Sequence, residues 1–281
     1  MERESLDINT LLSQYQEQGY IKLSNFLTKE KVDRLNKAID EVIDEEPQKK
    51  YNYDIRNCVE RHPEFAALMD DRAVLPLIVN IFGSYNIQLH LSHLTVKQHN
   101  PELPIEQSKK NTVGWHQDGP VPRFPQVGGI TPLYYLKICY MLSDLSEPYR
   151  GNTKIIPQSG DERFTPVSQT GEEIEGEMQM CGEPGDAFIF PQNLWHAAAP
   201  NLSTITRRQL FIGYSYLWMR PLDYHRASDH MLENADPIRR QLLGQISENP
   251  FMYYVSRDIK PELPLKSFLL EDSTNDYKGY T

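Results

Sequence analysis

Apolar positions along the first eighty residues recur mostly at helical spacing, and after residue 87 they shift to short alternating runs. The chain therefore reads as a helical opening followed by a strand-rich core. Leu6 to Gly19 suits a short helix, and Tyr20 to Phe26 a strand that alternates into a core. A second helix starts after Thr28, a natural N-cap; Glu30 sits in its first turn, and Val32, Leu35, Ile39, Val42 and Ile43 make one apolar stripe. Such a stripe predicts packing on the outside of a sheet. Residues 44–63 are polar and mixed. Phe65 to Phe82 reads as helical, with Leu68, Leu75, Ile78, Val79 and Phe82 on its apolar side and Gly83 as its stop. From Ile87 to Phe211 the runs are punctuated by Gly and Pro, which predicts a mainly β fold: a double-stranded β-helix, or jelly-roll, barrel with α-helices flanking one sheet. The length of 281 residues suits a single domain 1–281, with a helical part of about 1–83, a barrel core of about 87–220 and a C-terminal cover of about 221–281.

Within that core, Trp115-His116-Gln117-Asp118 carries the most chemistry. On a strand the two-residue step from His116 to Asp118 puts both side chains on one face. Gly119-Pro120-Val121-Pro122 follows as a loop signal, so the pair sits at the end of an extended segment. A second histidine, His196, follows the turn-and-strand stretch Gly185 to Pro191 and precedes the strand-like Gln209 to Tyr214. Two imidazoles and one carboxylate on one face of an octahedral metal leave the opposite positions open, as oxygen-activating non-haem iron requires and a closed structural zinc site does not. Arg207 follows His196 by 11 residues, and its planar fork of donors suits a carboxylate. Strand alternation lets only one of Arg207 and Arg208 look into a barrel.

These motifs, in this order, resemble the phytanoyl-CoA dioxygenase family of Fe(II)- and 2-oxoglutarate-dependent oxygenases. The resemblance starts in Tyr15 to Leu27 with Gly19-Tyr20-Ile21 and Asn25-Phe26-Leu27. It continues through Gly114 to Gly119, the strand Leu133 to Leu142, Arg150-Gly151-Asn152-Thr153 and the turn Ile155 to Gly160, and closes on Trp195-His196, Pro200 to Ser203 and Arg207-Arg208. It implies that His116, Asp118 and His196 ligate iron and that Arg207 meets the distal carboxylate of 2-oxoglutarate, with Thr153 as a further hydroxyl contact to it. Fe(II), 2-oxoglutarate and O2 are the implied cofactors, with ascorbate as reductant in vitro. The implied outcome is oxidation, by default hydroxylation, of an unactivated C–H bond in a small-molecule metabolite, with loss of succinate and CO2; the absence of a peroxisomal address and of a basic bias for a CoA phosphate favours a biosynthetic pathway over fatty-acid breakdown. Departures are confined to non-ligand positions: Ala198 stands where many relatives carry serine, and Gln158 and Gly160 replace glycine and histidine in the turn. Asp118 favours oxygen transfer over halogenation, because halogenating relatives carry a small residue there.

Composition narrows the remaining classes. A net charge of −10, from 39 acidic and 29 basic residues, argues against a nucleic-acid surface. There is no apolar run of about 18 residues, no charged-then-apolar amino-terminal signal and no Ser-Lys-Leu ending, so the expectation is a cytoplasmic protein with no membrane partner, monomeric or homodimeric. Cys58, Cys139 and Cys181 have no disulfide or zinc spacing and read as reduced core thiols. His90 and His93 fall on opposite faces of one strand and read as structural, while His225 and His230 are expected to cover the barrel mouth. In the strand Leu133 to Leu142 one face carries Tyr135, Lys137, Cys139 and Met141; an inward Lys137 would meet an anionic group, and snorkelling to an edge is the other reading. Pro101 to Thr112 and Gly119 to Pro132, including Arg123 and Phe124, read as loops at the opening, and the tail from Pro250 as a lid, a wrap or an interface. Two rival readings use the same ligands: a metal-binding sensor without turnover, and a zinc hydrolase.

Overall fold

Helix α1 (Ile8–Gln18) is capped by Asp7, whose carboxylate accepts from Thr10 N at 3.2 Å, and ends at Gly19 with φ +78°. Strand β1 (Ile21–Leu23) then leads to α2 (Lys29–Asp44), capped by the Thr28 hydroxyl and burying Val32, Leu35, Ala38, Ile39 and Val42. These facts come from a computed structural model, which describes residues 6–47, 51–99, 104, 114–119, 131–160, 174–245 and 264–271. The expected helix over 65–82 is two helices, α3 (Pro63–Met69) and α4 (Leu75–Phe82). Between them the Asp71 carboxylate accepts from Ala73 N at 3.0 Å, and Pro76 suits only the first turn of a new helix. Both helices keep their apolar residues in phase with the core, so periodicity alone does not reveal the break. Gly83 closes α4 at φ +60° as expected.

Among the described residues nine strands form two antiparallel sheets. The larger has the order β1, β7 (Ala187–Pro191), β4 (Tyr135–Met141), β9 (Arg207–Tyr216), β3 (Ile87–Lys97), β2 (Asn52–Arg56). The smaller has the order β6 (Met178–Gln179), β5 (Thr153–Ile155), β8 (His196–Ala198). The fold is the expected mainly β jelly roll with helices over one sheet, and both edges of the large sheet come from the helical opening, β1 within the strand expected over Tyr20 to Phe26. At one edge, β2 alternates exposed and buried positions, with Tyr53 and Ile55 inward, inside the stretch read only as polar and mixed.

Helices and the outer face of the large sheet share one core of Leu35, Ile39, Leu75, Ile78, Ile138, Ile212 and Tyr214, among others. Between the two sheets lies a second cluster, with Leu91, Tyr135, Cys139, Phe188, Phe190 and Phe211 from the large sheet and Ile155 from the small one. The C-terminal helices α5 (Asp229–Glu233), α6 (Pro237–Leu242) and α7 (Pro264–Glu271) join the helical layer through Met231, Leu242 and Leu265. His230 thus rides on that layer, and it is Leu222 that reaches the cavity between the sheets. Cys58 and Cys139 are buried and all three thiols are free. Among the described residues no helix is long and apolar enough to cross a membrane.

Candidate metal centre

Two Trp-His pairs build the centre. Trp115 and Trp195 pack with Ile156 and Ala197 in a small cluster of their own, which turns the adjacent His116 and His196 the other way, into the cavity. The two histidines form a backbone bridge, each N–H donating to the other's carbonyl at 3.0 Å, and Asp118 N donates to Gln192 O at 2.9 Å. Thus His116 and Asp118 sit on a short extended strip beside β8. Ligand atoms of His116, Asp118 and His196 all lie within 4.8 Å of one another. The His116 and His196 Nε2 atoms stand 3.9 and 3.6 Å from the Asp118 carboxylate, and the two rings are 4.2 Å apart.

The protonation pattern suits a cation. Each Nδ1 lies 2.8 Å from the carbonyl two residues earlier, Gly114 O for His116 and Leu194 O for His196. A carbonyl only accepts, so each Nδ1 carries a proton, and each Nε2 is the nitrogen turned to the shared space. Burial pushes the His196 imidazole down to about 3, against the pull of Asp118, and keeps it neutral. Burial alone would raise the Asp118 carboxyl. The neighbouring Lys137 ammonium, with His196 and His116, overrides it and holds the group below the ordinary carboxylate range. Two imidazole Nε2 atoms and one carboxylate, with cavity on their open side, fit a divalent first-row metal such as iron.

Lys137 settles the two readings of its strand: it points inward and forms an ion pair with Asp118. Its Nζ also lies 4.8 Å from the Phe190 ring centroid and 5.8 Å from that of Phe211. Arg207 and Arg208 diverge as alternation requires. Arg208 turns outward to Asp40 of α2 at 2.6 Å, while Arg207 is buried in the cavity wall, donating to Gly151 O at 2.8 Å and Thr95 Oγ1 at 2.5 Å. Thr153 and Ala198 face each other across β5 and β8 and line the same cavity.

His90 departs from the expected pattern. A register shift between Leu89 and Leu91 adds a residue to β3 and turns His90 toward Tyr135, 4.5 Å away between ring centroids. It therefore stands on the same side as His93, whose Nε2 meets Asp54 at 2.6 Å. Neither joins the ligand set. The turn after β5 holds Gln158 at φ +60°, a conformation that favours glycine, and its amide donates to Gln16 O and Glu17 O at the end of α1. Other residues that shape the site were not singled out from sequence: Thr95, Lys97, Asp54, and the fully buried Gln192, whose side chain accepts from Tyr135 N and donates to Pro132 O. Their contacts span distant segments, and only β3 alternation hinted that Thr95 and Lys97 share a face. Arg123, Phe124, most of both opening loops and the tail before Pro264 lie outside the described residues.

Comparison with known proteins agrees with this architecture. The sequence profile of the phytanoyl-CoA dioxygenase family matches residues 15–209. A protein of Emericella variicolor, Dioxygenase andF, is 22% identical over 250 residues, covering 82% of this chain and 81% of that protein. Among solved structures, HygX from Streptomyces hygroscopicus with nickel and 2-oxoglutarate bound has a TM-score of 0.61 at 16% identity, over 80% of this chain and 91% of its own. The epimerase SnoN, in complex with Fe3+, alpha ketoglutarate and nogalamycin RO, has a TM-score of 0.57 at 16% identity, over 75% and 84%. A carbocyclase, SnoK, has a TM-score of 0.56 at 16% identity, over 74% and 83%.

Proposed function

The chain belongs to the phytanoyl-CoA dioxygenase family, and from that premise we propose that it is an Fe(II)- and 2-oxoglutarate-dependent oxygenase of a small-molecule substrate in a biosynthetic pathway. The observation that carries this reading is the convergence of His116, Asp118 and His196, with Nε2 free on both imidazoles, in one cavity with the buried Arg207. His116, Asp118 and His196 would hold the iron and Arg207 the distal carboxylate of 2-oxoglutarate, with Thr153 as a further hydroxyl contact to it. Iron with 2-oxoglutarate and O2 supplies oxidative attack on an unactivated C–H bond, with succinate and CO2 released.

The chain's own residues do the rest. The carbonyls of Gly114 and Leu194 fix both imidazoles in the ligating tautomer. Lys137 holds Asp118 ionised and oriented toward the two rings. Phe190 and Phe211 give the cavity an apolar wall that keeps water from the reacting carbon. A zinc hydrolase needs no buried guanidinium beyond its ligands, and a non-catalytic sensor does not need the open face retained.

Succinate formation from 2-oxoglutarate with Fe(II), O2 and ascorbate tests the assignment. Wild type should form succinate and His116→Ala should lose it; iron-independent or absent succinate favours the sensor or the hydrolase. Untargeted profiling of metabolites with the purified protein then reads the outcome: one oxygen gained for hydroxylation, the default expectation, two hydrogens lost for ring closure or desaturation, and no mass change for epimerisation.

A further inference from the structure

Lys97 and Arg207 are directly paired across β3 and β9, in register and on the cavity side of the sheet. Like charges in that relation repel, and here one of them is buried. Among the described residues neither has a carboxylate partner: Arg207 donates to Gly151 O and Thr95 Oγ1, both uncharged, and its Nε has no acceptor. Asp54 of β2, the nearest acid, is taken up by His93 at 2.6 Å and Arg56 at 3.1 Å. Two cations abreast in the wall of a protein with net charge −10 make a local cation surplus that an anionic ligand would neutralise. Across the cavity Ala198 offers no hydroxyl to such a ligand.

We propose that Lys97 is a second carboxylate anchor of the cavity, holding the distal carboxylate of 2-oxoglutarate beside Arg207; this rests on the cosubstrate assignment above. A guanidinium with both Nη atoms already engaged by neutral acceptors has fewer donors to spare, and an ammonium beside it adds a charge-assisted hydrogen bond. Burial and the field of Arg207 push the Lys97 amine down to about 8, against the pull of Asp54. The charged or titratable groups facing this corner are Arg207 on β9, Asp54 and Arg56 on β2, His93 on β3, and Tyr135, Lys137 and Cys139 on β4. A bound carboxylate favours the protonated amine, so affinity for 2-oxoglutarate should fall as pH rises above about 8.

The test is binding of 2-oxoglutarate to the full chain loaded with Mn(II), by calorimetry from pH 6.5 to 9.5, which needs no turnover. Lys97→Met should weaken 2-oxoglutarate roughly tenfold or more near pH 7 while leaving Mn(II) affinity unchanged, and should abolish the decline above pH 8. Lys97→Arg should keep the affinity and move the decline to higher pH. Pyruvate, which lacks the distal carboxylate, should bind wild type and Lys97→Met alike. Lys97→Met binding 2-oxoglutarate within twofold of wild type, or losing pyruvate equally, overturns the inference alone. Wild type that binds Mn(II) and no 2-oxoglutarate overturns the cosubstrate assignment and the inference with it.

Discussion

Buried Lys137 pairs with the half-buried Asp118, and that pairing makes a single-residue prediction with two readouts. Removing one partner of a buried ion pair costs about 3 kcal/mol, because the other charge stays behind uncompensated. Lys137→Met should therefore lower the stability of the metal-free protein by about that much in urea titrations. Mn(II), whose charge would take over the pairing with Asp118, should recover most of the loss and raise the melting temperature more in the variant than in wild type. An equal metal-induced rise in both proteins would show that Asp118 does not depend on that ammonium. At this scale much was legible: the three proposed ligands and the two arginines were named from local spacing, Thr153 came from the family resemblance, and alternation allowed only one arginine inside. The partner of Lys137 was not legible. It comes from a strip that precedes β4 in the chain and is set beside β8, so only tertiary structure brings the charges together.

Gln158 shows the same limit for whole elements. A residue with φ +60° and a side chain costs roughly 1 kcal/mol more than glycine there. Its exposed amide returns a similar amount by donating to Gln16 O and Glu17 O, carbonyls left over at the end of α1. Gln158→Gly, losing a benefit and a cost together, should stay within about 1 kcal/mol of wild type, whereas Gln158→Ala keeps the cost alone and should lose about 1 kcal/mol. Denaturant midpoints of the two variants decide it, and a more stable Gln158→Ala would reject the capping role. In sequence, the departure at 158 is visible and its compensation is not, because α1 lies far from it along the chain. Helix α2 was legible from cap to stripe since its signals are all internal. The break between α3 and α4, edge strand β2 and the extra residue at His90 were missed because an Asx turn, a pairing partner and a bulge leave the apolar rhythm nearly intact.

Stability of the molecule as a whole should respond to acid well before its carboxylates titrate. Burial pushes the His90 imidazole down to about 4, with Lys137 adding to the effect and Asp118 opposing it, and His93 is shifted down as well. An unfolded chain binds a proton at these sites near pH 6.5, so the unfolded state holds more protons throughout the window between about 6.5 and 4. The stabilising difference is complete above 6.5 and is lost as pH falls toward 4. Generic charge repulsion does not explain a loss there, because the net charge of −10 at pH 7 shrinks toward zero near the isoelectric point of about 5.3. One such imidazole costs about 2 kcal/mol between pH 6.5 and 5. His90→Phe keeps a ring against Tyr135 and carries no proton, so its stability should fall by about 2 kcal/mol less than that of wild type over this range. Urea titrations at pH 7.5, 6 and 5 measure the difference, and parallel curves for the two proteins would mean that the bulge leaves His90 open to water.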